Sequence, residues 1–309
     1  MSPLFLKRLS LALGVLAALW AFLLWREHRA SPVALLAADA SSASKIVLAK
    51  PGLPPLSLSK GQGGWELLEP FRFPAGTTAV EGFLDKLSKL RLSEPLSSRE
   101  DRHALFAVNE SSAVRVRLYR LASDAEPSLD AWIGRSGAEY DTFFLRRSGS
   151  AEVFEARGMG RFEFEKDAGE WAERVVAALD ASSVFALELR GQKHSLRLSR
   201  SAGRWVLEGG KPVSAAGLGK IDAVLTALSR LEGDSVSAES SLDPLLLRGV
   251  NNPELRLSAR YGLGQSLTLD IGPKAPEFVH WVRRKGKEGF LYKFSGWKLE
   301  SLHLTAKDL

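Results

Sequence analysis

One short segment occurs twice in this chain, and its recurrence limits the possible folds more than any other feature. The segment Gly63-Gly64-Trp65-Glu66-Leu67 returns about 140 residues later as Gly203-Arg204-Trp205-Val206-Leu207. In both copies a glycine turn precedes a strand pattern that opens on tryptophan. The equivalent placement of Trp65 and Trp205 favours core packing over a surface role such as sugar stacking. We therefore expect one structural unit that is used twice.

An amphipathic helix follows each copy. Apolar residues recur at the spacing i, i+3, i+4 and i+7, which places them on one helix face. They are Val80, Phe83, Leu84, Leu87 and Leu90 in the first copy, and Ile221, Val224, Leu225, Leu228 and Leu231 in the second. Thr78-x-x-Glu81 predicts a capping box for the first helix, and Ser214 is a candidate cap for the second.

Strand patterns then recur in the same order. Alternating apolar residues, typical of half-buried strands, are followed in each copy by an Ile-Gly pair and an aromatic strand. The segments are Val114 to Leu118 and Leu255 to Ala259, then Trp132-Ile133-Gly134 and Asp270-Ile271-Gly272, then Phe143 to Arg147 and His280 to Arg284. We interpret Gly134 and Gly272, like Trp65 and Trp205, as structural positions of the repeat core.

The N-terminal segment predicts the compartment. Leu9 to Trp25 holds no charge and is flanked by basic residues on both sides, which predicts a membrane-spanning signal-anchor. A cleaved signal peptide is the alternative, with Ala38-Asp39-Ala40 as a small-x-small site. The short leading tail favours a cytoplasmic N-terminus and a periplasmic C-terminal domain at a bacterial inner membrane. Because the chain has no cysteine, a lipoprotein anchor is excluded.

These observations predict an α+β fold behind one N-terminal transmembrane helix. It consists of two tandem repeats, each a mainly antiparallel sheet with one amphipathic helix. Asp167-x-x-Glu170 predicts a third capping box, and an apolar stripe from Trp171 to Leu179 predicts a helix between the repeats. The predicted segments are 1–29 for the cytoplasmic tail and anchor, 30–44 for a linker, 45–162 for the first repeat, 163–182 for the connecting helix and 183–309 for the second repeat. Regions 97–109 and 231–252 are less regular and occupy equivalent places.

This arrangement resembles domain-of-unknown-function family 4340 from about Ala43 to the C-terminus. It departs from a full repeat because the second copy stops at Leu309, where the first enters the segment with Trp171. The resemblance implies an envelope protein that accompanies a gliding-motility-type ABC transporter, with the permease and ATPase subunits as partners. It implies no catalytic residues. The expected function is thus a non-enzymatic accessory subunit that acts as a scaffold or adaptor.

Catalytic, cofactor and metal sites are not predicted. Gly217-Leu218-Gly219-Lys220 lacks the earlier glycine of a phosphate-binding loop, and Gly158-Met159-Gly160 lacks the third glycine of a dinucleotide fingerprint. The five histidines are scattered, with none at i+3 or i+4 from another. A hydrolase remains a third interpretation, since a Ser-His-Asp site assembles in space, but no nucleophile-elbow motif is present.

The net charge of +6 leaves one candidate surface. Its arginines are spread along strands, and a periplasmic domain does not meet nucleic acid, so we expect no nucleic-acid partner. The Arg146-Arg147 and Arg283-Arg284 pairs recur beside aromatic strands. They could bind anionic lipid or polysaccharide through charge-assisted contacts. An envelope glycan- or lipid-binding module is therefore the alternative function. The other possibility is that one arginine of each pair is solvated and the other covers an apolar edge.

Overall fold

The computed structural model describes Trp20 and residues 34–36, 39–192 and 194–309. Apart from Trp20, the predicted membrane span from Leu9 to Trp25 lies outside these residues. Within the described part of the chain, no helix has the length and apolar character needed to cross a membrane.

The first unit is a ten-stranded antiparallel sheet with one helix against it. Its strands are β1 (Ala34–Leu35), β2 (Lys45–Ala49), β3 (Leu56–Gly61), β4 (Gly64–Glu69), β5 (Phe73–Pro74), β6 (Arg91–Leu92), β7 (Val114–Tyr119), β8 (Leu129–Ser136), β9 (Thr142–Arg147) and β10 (Val153–Arg157). Their spatial order is β1-β6-β10-β9-β8-β7-β2-β3-β4-β5. Helix α1 (Thr77–Ser88) buries Val80, Phe83, Leu84 and Leu87 against the sheet, as its apolar spacing predicts.

A short irregular segment leads to the second unit. It holds α2 (Ala168–Trp171) and β11 (Val175–Ala177), which pairs with β15 (Leu231–Glu232). The second sheet contains β12 (Val184–Gly191), β13 (Ser195–Ser201), β14 (Arg204–Leu207), β16 (Ser235–Ala238), β17 (Leu255–Tyr261), β18 (Gln265–Ile271), β19 (Val279–Arg284) and β20 (Phe290–Ser295). Helices α3 (Ala215–Ser229) and α4 (Pro244–Asn251) belong to this unit.

The two sheets share one topology. The order β10-β9-β8-β7-β2-β3-β4 in the first matches β20-β19-β18-β17-β12-β13-β14 in the second. The predicted α+β class with mainly antiparallel sheets is confirmed. One helix per repeat is wrong for the second unit, because α4 forms within the region expected to be irregular. Its start is fixed by Pro244 and by Asp243, whose carboxylate accepts a hydrogen bond from Leu245 N at 2.7 Å.

A strand and a 3₁₀ turn lie where the sequence predicted the linker, and an equivalent strand and turn lie where it predicted the connecting helix. β1 pairs with β6 just as β11 pairs with β15. Each is followed by a 3₁₀ turn with the same sequence, Ala40–Ser42 and Ala181–Ser183, after Asp39 and Asp180. Leu36, Ala40 and Ala43 are buried in the first core, so residues 34–36 and 39–43 are part of the fold rather than a tether.

The expected helix over 163–182 is reduced to the four residues of α2. Its predicted capping box is present, because Asp167 accepts from Glu170 N and Glu170 accepts from Asp167 N. The helix ends at Trp171, since the next residue is extended and the branched Val175 then lies in a strand ladder. The apolar residues of this segment therefore pack into two different cores and do not line one face of a single helix.

The two long helices, α1 and α3, differ in how their first turns are capped. Ser214 Oγ accepts a hydrogen bond from Gly217 N at 3.0 Å, as expected of a cap. The capping box predicted for Thr78 and Glu81 is absent: Gly76 is the N-cap of α1 and no side chain caps it. Glu81 lies beside Lys60 instead, at 3.3 Å.

We expect Ser214→Ala to lower the free energy of unfolding by about 1 kcal/mol, because one amide of the first turn loses its acceptor. Thr78→Ala is the matched control and should change it by less than about 0.5 kcal/mol. Denaturant unfolding followed by circular dichroism, on a version that begins at residue 30, measures both. Equal effects would contradict the assigned cap.

The two units are packed against each other. Phe73 of β5 lies within the second core, with its ring centroid 4.6 Å from that of Phe290. Phe71 contacts both cores and lies 5.7 Å from Phe290. A further contact joins the units: Gly169 of α2 lies directly against the backbone of Val236 in β16. The units thus share an aromatic interface.

Candidate functional site

The two tryptophans that define the repeat lie inside the cores. Trp65 is 2 % exposed and Trp205 is 6 % exposed. Trp65 packs in the first core with α1, and Trp205 in the second with α3. Neither indole face is available to a sugar, so their recurrence reflects packing.

Gly134 and Gly272 mark where a covering segment crosses the outer face of each sheet, the face away from α1 or α3. A Cβ on Gly134 would overlap Phe106 O and come within 2.7 Å of Val108. A Cβ on Gly272 would lie 2.9 Å from Val250 of α4. Glycine is required at both positions because backbone or side chain approaches too closely for any larger residue.

The four arginines do not form one surface. Neighbouring residues of a strand point to opposite faces, so Arg146 and Arg283 lie on the outer faces, whereas Arg147 and Arg284 lie on the helix side. Arg147 is exposed and donates to Leu36 O at 2.9 Å. The guanidinium of Arg284 makes no hydrogen bond or ion pair with the described residues, and only its backbone is bonded, with its carbonyl accepting from Lys287 N at 3.1 Å.

The two outer-face arginines are held by their own chain. Arg146 donates from Nε to Val108 O at 2.8 Å and lies 5.3 Å above the Trp132 ring. Burial lowers the pKa of Arg146 below its usual range. Arg283 donates to Glu239 at 2.8 Å and to Asn251 at 2.9 Å. Their guanidinium groups are therefore largely engaged within the fold, and they make poor anchors for an external anion.

The outer face of the first sheet is covered. Leu105 O accepts from Arg135 Nε at 2.9 Å, and the Phe106 ring lies 5.0 Å from that of Phe144. The segment around these residues thus crosses the sheet. Phe106 and Val108 of this segment pack with Phe144 and Val153. The side chains buried on this face are Val47, Tyr119, Trp132, Phe144 and Val153.

The part of the second sheet's outer face that α4 leaves uncovered is open and charged. Two shallow pockets lie along it and share Ser258. We call this surface the open face; it is formed mainly by Glu188, Arg197, Arg256, Arg260, Asp270 and Lys285.

Most charges of the open face are paired. Arg256 makes two hydrogen bonds to Asp270, at 2.5 and 3.0 Å. Arg197 lies 3.1 Å from Glu188, and donation from Arg190 and Arg197 lowers the pKa of that carboxyl. Arg260 has no ion pair among the described residues. It lies 5.7 Å above the Phe185 ring, so it remains a free cation at the surface.

A second kind of site lies beyond the N-terminal end of β19. Here Phe278 and Trp297, each 70 % exposed, flank a pocket that also contains Lys274, Glu277, His280, Glu300 and His303. We call it the aromatic pocket. Its volume is about 500 Å³, within the range of small-molecule sites.

Two histidines that are distant in sequence meet in the aromatic pocket. The ring centroids of His280 and His303 are 6.3 Å apart. Partial burial lowers the pKa of His303 against the attraction of Glu254, so its ring is neutral at pH 7. In the part of the chain that the structure describes, no group of three or more potential ligands is placed to hold a metal ion.

Comparison with known families adds one result. The model of a domain of unknown function, DUF4340, matches residues 65–248, more than half of the chain. The chain belongs to this family. Neither the search of curated proteins nor the search of solved structures found a match.

The DUF4340 match contains both tryptophan strands but not the aromatic pocket, whose residues all follow position 248. Sequence reasoning missed this pocket because its residues come from two separate loops. The available signal was weak: aromatic residues at positions 278 and 297, both outside the repeating apolar pattern.

Proposed function

We propose that this DUF4340 protein is a non-enzymatic accessory subunit of an ABC-type export system. In this proposal Leu9 to Trp25 anchors it in a bacterial inner membrane and residues 34–309 lie in the periplasm. The permease and ATPase subunits are its partners, as the family resemblance implies. The observation that best supports a scaffold or adaptor role is the contrast between the covered face of the first sheet and the open face of the second.

Its mechanism is association. The anchor confines the protein to the membrane of the permease, which raises the effective concentration of each partner for the other. The open face then presents fixed, mostly paired charges, and such arrays determine which partner is accepted more than how tightly it binds. Arg260 makes no ion pair among the described residues, so we choose it as the open-face residue for an ion pair with a partner.

We expect full-length protein, solubilised in mild detergent, to copurify with an ABC permease and its ATPase, as identified by mass spectrometry. A version that begins at residue 30 keeps every strand and helix from Ala34 onward and should recover less transporter, because the anchor is lost. Arg260→Glu in the full-length chain should reduce recovery severalfold through charge reversal.

The matched control is Arg230→Glu, whose side chain is 78 % exposed near the end of α3 and away from the open face. It should leave recovery unchanged. If no form brings down a transporter, the accessory-subunit proposal is wrong. If Arg230→Glu and Arg260→Glu reduce recovery equally, the open face is not the contact surface.

A further inference from the structure

We propose that the aromatic pocket binds a neutral saccharide ring, with Phe278 and Trp297 contacting its apolar faces and His280 accepting a hydroxyl hydrogen. This site is independent of the open face and of any transporter. It also differs from the arginine surface predicted from sequence, where Arg146 and Arg283 are held within the fold.

The first observation is a buried polar group aimed into the pocket. His280 is 8 % exposed, and its Nδ1 lies 3.0 Å from Gly272 O. A carbonyl only accepts, so Nδ1 carries a proton and donates, and in this Nδ1–H tautomer Nε2 is the acceptor of the ring. Among the described residues Nε2 has no hydrogen-bond partner, and it faces Gly296 at the pocket wall. A ligand hydroxyl would satisfy it.

The second observation is the backbone that presents Phe278. Glu277 and Phe278 are consecutive non-glycine residues with φ of 65° and 61°. Left-handed conformations are unfavourable for such residues and concentrate at binding and catalytic sites. The result here is a large aromatic ring held out of the core and 70 % exposed.

The third observation is an internal comparison with the first unit. A Cβ on Gly160 would lie close to Tyr140 O, and a Cβ on Gly296 would lie equally close to Phe278 O. The surroundings of Gly160 in the first unit are therefore equivalent to those of Gly296 in the second. In the first unit the Tyr140 and Phe162 rings stack on each other with centroids 5.2 Å apart. The residue that corresponds to His280 there is Phe143, which is fully buried. Of the two places, only the one in the second unit combines unstacked aromatic rings, a histidine lining the pocket and left-handed backbone.

The charges define the ligand class. Two carboxylates, Glu277 and Glu300, line the pocket against one ammonium group, Lys274, which lies 4.0 Å above the Phe278 ring. Carboxylates accept hydrogen bonds from hydroxyl groups and repel anions. A neutral polyhydroxyl ring therefore fits better than an acidic sugar. The same carboxylates argue against insertion of these aromatics into an anionic bilayer surface.

The test uses full-length protein in a detergent without a sugar headgroup. Chitotetraose, cellotetraose and maltotetraose are titrated by calorimetry, with tetragalacturonate as the acidic comparison. At least one neutral tetrasaccharide should bind, and Trp297→Ala or Phe278→Ala should weaken it by about tenfold or more. His280→Phe, which copies the residue of the first unit, should weaken it by a similar factor. The matched control is Tyr140→Ala, because the side chain of Tyr140 is an aromatic ring that is 82 % exposed in the first unit. This variant should leave saccharide affinity unchanged.

Thermal melting of each variant confirms that it is folded. The proposal is overturned if no neutral saccharide binds, if only tetragalacturonate binds, or if Trp297→Ala and Tyr140→Ala behave alike. It is also overturned if phosphatidylglycerol vesicles bind in a Trp297-dependent manner while the saccharides do not. Because transporter recovery is measured separately, failure of this test leaves the accessory-subunit proposal to its own experiment.

Discussion

Trp171→Ala should destabilise the protein by about 3–5 kcal/mol, the range measured when a large aromatic is removed from a core. Trp171 is 0 % exposed, and the Phe83 ring packs perpendicular to it at 5.1 Å. Its carbonyl also accepts from Gly76 N at 2.8 Å, where α1 begins. The truncation would leave a cavity at the base of α1. Denaturant unfolding of the version that begins at residue 30 measures the loss.

Trp297→Ala is the matched control, because it removes the same side chain from a surface position that is 70 % exposed. It should alter the free energy of unfolding by less than about 0.5 kcal/mol. A small effect of Trp171→Ala would mean that the surrounding side chains collapse into the space. Such a result would contradict the close packing of Trp171 in the first core.

Gly169→Ala should be the most damaging small substitution at the interface of the two units. The new Cβ would overlap Val236 O and Ser235 Oγ and lie 2.7 Å from Val236 N. Backbone atoms cannot rotate away, so α2 and β16 must separate, at a cost of about 1–3 kcal/mol or more. The same denaturant experiment measures this, and increased proteolysis between the units would accompany it.

Gly219→Ala makes the same chemical change with the opposite expected sign. Gly219 lies inside α3, and no heavy atom lies within 4 Å of the position that an added methyl group would take. Alanine there should stabilise the protein by about 0.5–1 kcal/mol, because it restricts the unfolded chain and favours the helix. If Gly169→Ala were equally stabilising, the contact between α2 and β16 would have to be looser than the structure indicates.

The sequence predicted the elements that obey a local period. The apolar spacing of α1 and α3, and the alternation in β7 and β17, follow from which face each element buries. The short segments had no such period. Asp39-Ala40-Ser41-Ser42 and Asp180-Ala181-Ser182-Ser183 are nevertheless identical in sequence. This identity was the missed signal that the repeat begins before Ser44.

The candidate sites were harder to predict, because sequence spacing does not show what covers a strand. Arg146 and Arg283 look alike in sequence, and only the structure shows that Val108, Glu239 and Asn251 hold them. His280 and His303 are 23 positions apart, and their meeting depends on the turn after β20. No local rule could bring these rings together.

Only residues 172–174 separate the end of α2 from the start of β11. Trp171 lies in the first core and Val176 in the second, so this joint is fastened at both ends. We expect this joint, flanked by the contact of Phe73 with Phe290, to restrict rotation of one unit against the other. We therefore expect the two units to move as one body, so that a partner bound at the second sheet is held at a fixed position relative to the first.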